Sequence, residues 1–226
     1  MPELFKKYAR TALRTAGFEL RRISPLWKES AEFMEILDRI DGLTLISPDR
    51  CFMLYQFARY ARNLPGQLAE VGVYRGGTAL LLASACSEKK LSLFDTFHGM
   101  PAVDKQIDRH RAGDFDDTSL EAVRARLRDY PKVEFFPGFF PDTARPVEDR
   151  QFALVHVDVD IYQSVRDALA FFYPRLVPGG IVVFDDYLAP NCPGVEKAIQ
   201  EFLRTTANQP IQTTVSQCML IKPPAT

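Results

Sequence analysis

The sequence predicts an α/β domain built on a doubly wound, mostly parallel sheet. Three observations lead there. Short apolar runs rich in β-branched residues alternate with helix-length segments from residue 68 onward. A glycine-rich turn at 72–77 follows the first run and opens a helix. Two later runs, 154–157 and 181–184, end in acids: Asp158 and Asp160 after one, Asp185 and Asp186 after the other. In an open parallel sheet, ligands collect beyond the carboxyl ends of the strands. Four carboxylates converging on that rim would repel one another unless a cation or a proton offsets them.

Length and composition bound the reading. At 226 residues the chain is long enough for one large α/β domain and short for two. A net charge of −1 gives no global field for nucleic acid. The charge is uneven: residues 1–28 hold Lys6, Lys7, Arg10, Arg14, Arg21, Arg22 and Lys28 against Glu3 and Glu19, a net +5, which leaves −6 for the rest. Cys51, Cys86, Cys192 and Cys218 are widely spaced, as suits reduced thiols rather than a disulfide or zinc framework. There is neither a membrane-spanning apolar run nor a signal-peptide core, so the expected location is the cytoplasm.

Each element can be justified in turn. Residues 3–22 carry apolar side chains at helical spacing with basic residues between them. Such a helix can lie on an anionic membrane, but packing on the domain or on a second subunit is the favoured reading, and a homodimer through these helices is expected. Residues 28–40 form a second helix. Ser47-Pro48 starts a third, with proline at the first helical position. This gives an N-terminal helical arm at 1–45 and the main domain at 46–226. Strands follow at 68–73, 91–94, 133–136, 152–157 and 181–184, the last after a turn at Pro178-Gly179-Gly180. Helices fall at 78–86, 119–129, 162–176 and 194–206. A closing antiparallel hairpin at 211–215 and 218–221 completes seven strands. The polar stretch 96–117 has the length of a lid or binding loop.

The turn 70–77 is not the G-x-G-x-x-G of dinucleotide enzymes, because Tyr74 takes the second glycine position. That disfavours a nicotinamide dehydrogenase. With Glu70 before the turn and Asp95 after the second strand, it resembles the S-adenosylmethionine (SAM) site of class I methyltransferases, which have a Rossmann-like sheet. That resemblance implies a cofactor held by Glu70, Gly72, Tyr74, Gly76, Gly77, Asp95, Thr96, Phe97 and Asp158, with Asp95 on the ribose and adenine near 138–143.

The stretches AEVGVYRGGTALLLA (69–83), LFDTFHGMP (93–101), HVDVDIYQSVRDALAFFYPRLVPGGIVVFDDY (156–187) and GVEKAIQEF (194–202) resemble the macrocin O-methyltransferases over about residues 45–222. These methylate sugar hydroxyls of natural products. The pairing of HVDVDIY with a strand-ending Asp-Asp-Tyr is the specific part. The resemblance implies Asp158, Asp185 and Asp186 as ligands of a metal, and Mg²⁺ suits all-oxygen ligation. It also implies Asp160 as general base. Catechol-type enzymes place a lysine where this chain has Ile161, which argues against a catechol substrate. A metal-stabilised alkoxide and a nearby carboxylate would activate a sugar hydroxyl, and chelation by two neighbouring hydroxyls points to a vicinal diol in a small molecule or glycan. A non-catalytic SAM-binding domain is the alternative from another class, and the intact acids argue against it.

Other polar residues have plainer readings. His156, inside an apolar strand, is expected to be a hydrogen-bonded core histidine. His98 and His110 fall in the 96–117 loop, where Phe115 is a candidate for stacking on a cofactor base. Phe135, Phe136, Phe139 and Phe140 are expected in the core.

Overall fold

In the computed structural model, residues 25–224 and Thr15 are described. The helix expected at 3–22 therefore lies outside the described residues, apart from Thr15.

A 3-10 turn at Leu26–Glu29 leads into α1 (Ala31–Arg39), capped by the Ser30 hydroxyl, which accepts from the Phe33 amide. Helix α2 (Pro48–Ala61) begins with proline at its first turn. Then come β1 (Gln67–Val71), α3 (Gly77–Ala85) and β2 (Leu91–Asp95). Residues 96–119 carry neither helix nor strand. They lead to α4 (Leu120–Arg126), β3 (Val133–Pro137) and β4 (Phe152–Val157). Next are α5 (Tyr162–Phe172), β5 (Leu176–Asp185), α6 (Pro193–Leu203), β6 (Ile211–Thr214) and β7 (Gln217–Ile221). No helix among the described residues is long and apolar enough to cross a membrane.

The seven strands form one sheet in the order β3-β2-β1-β4-β5-β7-β6. All pairings from β3 to β5 are parallel. β7 runs antiparallel to both β5 and β6, so the closing pair departs from the parallel set as expected. The order reverses between β1 and β4, which creates the crevice where α/β sheets bind ligands.

Alternation along the central strands sorts side chains to two faces. Leu68, Leu154, Ile181 and Val183 join the core under α1, α2 and α3, with Phe33, Leu54 and Leu81. Ala69, Val71, Val155, Val157, Val182 and Phe184 join the core under α5 and α6, with Leu169, Phe172 and Ile199. Because Phe33, Ile36 and Ile40 share the first core with Leu54 and Leu81, α1 is packed into the domain. One boundary differs from expectation. The Pro178-Gly179-Gly180 segment lies inside β5 rather than before it. The register jumps from Phe152↔Leu176 to Leu154↔Ile181, and Gly179 absorbs the extra residues at φ 78°. Proline and glycine marked the irregularity but not its position within the strand.

Candidate active site

A cleft of about 310 Å³ opens over the carboxyl ends of β1, β2, β4 and β5, within the size range of small-molecule sites. One wall is the glycine turn. Gly72 has φ 86°, and a Cβ there would lie 1.8 Å from the carbonyl oxygen of Asp158. Only glycine lets the first and fourth strand ends approach so closely. Gly76 and Gly77 do not line the cleft. Gly76 takes φ 83° at the start of α3, and a Cβ on Gly77 would strike the Leu43 backbone at 2.7 Å. Their role in this structure is to seat α3. Tyr74 lines the cleft with a left-handed backbone, φ 51°.

Asp95 lies in the cleft but is already engaged. Its Oδ2 accepts from the amides of Val73 (2.6 Å) and Tyr74 (2.9 Å), and its Oδ1 from that of Phe97 (2.7 Å). The carboxylate thus clasps the glycine turn, with the Thr96 hydroxyl a further 3.5 Å from Oδ1. Thr96 lines the cleft, while Phe97 is buried behind it. Gly138, Phe139 and Phe140 form the far wall, in the region expected to hold adenine. Phe115 also lines the cleft and meets Tyr74 edge-on at 5.8 Å between ring centroids. His98 is exposed on the outer side of the loop.

The acidic rim resolves into two layers. Asp158, Asp160 and Asp186 face the cleft, and each offers a carboxylate oxygen within 4.8 Å of the other two. Asp160 and Asp186 both hold φ 59°, a conformation aspartate tolerates better than most residues and one that gathers at functional sites. Asp185 and Glu70 lie behind, fully enclosed with His156. Strand register explains the second layer. Glu70 pairs with His156 across β1 and β4, and the alternation that buries Leu68, Leu154 and Val183 brings Asp185 to the same face. His156 Nδ1 lies 2.8 Å from Glu70 Oε1, and its Nε2 lies 2.7 Å from Asp185 Oδ2. Burial alone would lower the His156 pKa, but the bonds to Asp185 and Glu70 outweigh it and hold the ring protonated, near pH 10.

Asp185 Oδ1 accepts from Arg50 Nη1 at 3.0 Å and from Gln217 Nε2 at 3.2 Å. The same Arg50 nitrogen reaches Asp186 Oδ1 at 3.3 Å. Oxygens of two expected ligands therefore converge on one cation. Among the described residues, five carboxylates, Glu70, Asp158, Asp160, Asp185 and Asp186, gather around two cations, Arg50 and the protonated His156, with His110 3.9 Å from Asp160. Burial, with Asp185 and Asp160 nearby, pushes Asp158 well above the usual carboxylate range. Burial, reinforced by Asp186, raises Asp160 to about 6. The excess of negative charge calls for a cation or a proton to offset it.

Sequence reasoning missed Arg50, Gln217 and Cys192. Arg50 looks like a surface residue of α2, and nothing local marks the face it shares with β5. Cys192 precedes α6 and donates to Asp160 Oδ1, with Sγ at 3.3 Å.

The family described as Macrocin-O-methyltransferase (TylF) matches residues 42–220, most of the chain. The chain belongs to this family. Among curated relatives, the 8-demethyl-8-(2,3-dimethoxy-alpha-L-rhamnosyl)-tetracenomycin-C 4'-O-methyltransferase of Streptomyces olivaceus is 36% identical over 148 residues, 58% of this chain and 57% of that protein. Mycinamicin III 3''-O-methyltransferase of Micromonospora griseorubida is 31% identical over 62% of this chain and 61% of its own length. The alignments thus span about three fifths of each curated relative. Among solved structures, the O-methyltransferase NovP superposes with a TM-score of 0.72 at 28% identity, covering 80% of this chain and 83% of that one. An O-methyltransferase from Bacillus cereus, solved with SAH, shares the fold at a TM-score of 0.58 and 13% identity. The class I methyltransferase fold of the family is the seven-stranded sheet described above.

Proposed function

We propose that this macrocin O-methyltransferase family member transfers a methyl group from SAM to a hydroxyl of a sugar or similar vicinal diol, aided by a divalent cation such as Mg²⁺. The observation that carries the proposal is the meeting of Asp158, Asp160 and Asp186 in the cleft that the glycine turn also lines. The Streptomyces olivaceus relative is named as a 4'-O-methyltransferase of a rhamnosyl tetracenomycin, which supports the acceptor class.

The residues fit both groups. Gly72 and Asp95 shape a turn close enough to the strand ends to take an amino-acid tail, and the wall at Gly138–Phe140 is apolar enough for a base. Asp158 and Asp186 would hold the cation. Asp185 is proposed as the third ligand through Oδ1, which already meets a cationic nitrogen. When bound, SAM supplies a sulfonium methyl group and the dication lowers the cost of negative charge on the acceptor oxygen.

The chain's own groups do the rest. Asp160, in the cleft beside Asp186, is placed to take the hydroxyl proton. The cofactor would give up its methyl group to the acceptor oxygen and keep the electron pair of the C–S bond, while Asp160 would hold the proton the acceptor loses. The cleft walls fix the in-line geometry that such a displacement needs. Residues 96–117, which contribute Thr96, Met100, His110 and Phe115 to the cleft, are proposed to close over the reactants. Acceptor turnover measured by S-adenosylhomocysteine release, with and without Mg²⁺, tests the reading. Thermal stabilisation by NAD but not by S-adenosylhomocysteine would overturn it.

A further inference from the structure

Beside the cleft a second cluster of metal-binding atoms joins the proposed base Asp160 to two side chains, His110 and Cys192, that the methyl-transfer chemistry does not use. His110 from the 96–119 loop, Asp160 after β4 and Cys192 before α6 come together at the rim. Cys192 Sγ lies 3.3 Å from Asp160 Oδ1 and 3.5 Å from His110 Nε2, and that nitrogen lies 3.9 Å from the same Asp160 oxygen.

These spacings are informative. Tetrahedral zinc, with bonds of about 2.3 Å to sulfur and about 2.0 Å to nitrogen and oxygen, sets its ligand atoms roughly 3.3–3.6 Å apart. The two separations to sulfur lie in that range, and the nitrogen–oxygen pair at 3.9 Å is about 0.6 Å longer than its tetrahedral spacing. The imidazole is also oriented for the task. His110 Nδ1 faces Asp114 Oδ2 at 3.2 Å, which leaves the Nε2 lone pair directed at Cys192 and Asp160. A carboxylate on the far nitrogen is the usual support for a metal-bound histidine.

We propose that His110, Cys192 and Asp160 form a binding site for a borderline-soft divalent transition ion, Zn²⁺ in class, and that its occupancy is inhibitory. The thiolate and imidazole select against Mg²⁺, which takes oxygen ligands. Binding exchanges the Cys192 thiol proton, released to solvent, for a sulfur–metal bond. Three protein ligands leave the fourth tetrahedral position open toward the cleft. The ion ties the 96–119 loop to the ends of β4 and α6, and it takes Asp160 out of service as a base. The inhibitory consequence rests on the proposed role of Asp160; the binding does not.

The test uses the full chain, stripped of metal by a chelator, with Co²⁺ as a coloured probe and no substrate. One equivalent of Co²⁺ should give a thiolate-to-cobalt charge-transfer band, bleached by equimolar Zn²⁺ and unaffected by excess Mg²⁺. Cys192→Ser and His110→Gln should abolish the band while keeping the wild-type circular dichroism. Asp114→Asn should weaken Zn²⁺ binding about 10- to 100-fold. No band in the wild-type chain, an unchanged band in Cys192→Ser, or displacement by equimolar Mg²⁺ would overturn the site. Added Zn²⁺ should also stop turnover, with recovery on chelation. A chain that shows the band but never transfers methyl groups counts against the methyltransferase reading alone.

Discussion

His156 Nε2 lies 2.7 Å from Asp185 Oδ2, with both side chains sealed from solvent. On the other edge of the ring, Nδ1 meets Glu70 Oε1. Three neighbouring strands are thus joined by a polar bar just below the cleft floor. The bar fixes the rotamer of Asp185, so its second oxygen points at Arg50 and Gln217. Glu70 Oε2 is buried without a hydrogen-bond partner among the described residues, so the bar carries more acceptors than donors.

The bar sets a pH dependence. His156 has its pKa raised from 6.5 to about 10, so its stabilisation is complete below the unfolded value and is lost as pH rises through the folded one. The melting temperature of the metal-free chain should fall between pH 7 and pH 10. His156→Asn should lower stability at pH 7 by about 3–5 kcal/mol, the usual cost of breaking a buried ionic pair, and should flatten that decline. Calorimetry across the range checks both.

Asp160→Asn keeps the shape and removes the proposed base. Turnover should drop about 10²- to 10⁴-fold, while calorimetric affinity for S-adenosylhomocysteine stays near wild type. Unchanged turnover would strip Asp160 of its role.

Replacements of the other acids separate the layers. If Asp186 is a ligand as proposed, Asp186→Ala should weaken Mg²⁺ binding at least about tenfold. Asp185→Asn should weaken it too and also disturb His156. If Asp185→Asn leaves Mg²⁺ affinity intact while Asp160→Asn reduces it, the cleft-facing trio of Asp158, Asp160 and Asp186 is the ligand set.

Gly72→Ala should be costly on two counts. The left-handed backbone alone costs an L-residue about 1–2 kcal/mol, and the added methyl would collide with the Asp158 carbonyl. Chemical denaturation should show a loss beyond that range, with cofactor-product binding impaired more than in Gly76→Ala, where the backbone is equally left-handed but the methyl meets the Val123 side chain at 2.9 Å rather than the Asp158 backbone.

The outline of the fold was legible because β-branched runs, glycine turns and capping residues are local signals. β4 was read at its observed bounds, and most other elements within a few residues. β5 was started late because a bulge looks like a turn from within one strand. The four rim acids were legible for the same local reason, since they end strands. Their partition was not. That Asp185 turns inward to His156 while Asp160 turns to the cleft depends on register with β1 and on two left-handed residues. Arg50 and Cys192 were invisible because their partners lie 135 and 32 residues away, brought close only by the sheet. Asp95 was read as a ribose ligand, and its clasp on the amides of Val73, Tyr74 and Phe97 needed three-dimensional contacts to be seen.

The near-contact between Gly72 and the Asp158 carbonyl, braced by the hydrogen bond from the Asp158 amide to Val71, leaves no slack between the turn and the acidic rim. A ligand on the turn is expected to influence the carboxylates, and any such coupling is reciprocal. Cofactor affinity measured at several Mg²⁺ concentrations should therefore trace a reciprocal linkage, making the order in which the two are loaded a kinetic choice with one thermodynamic outcome.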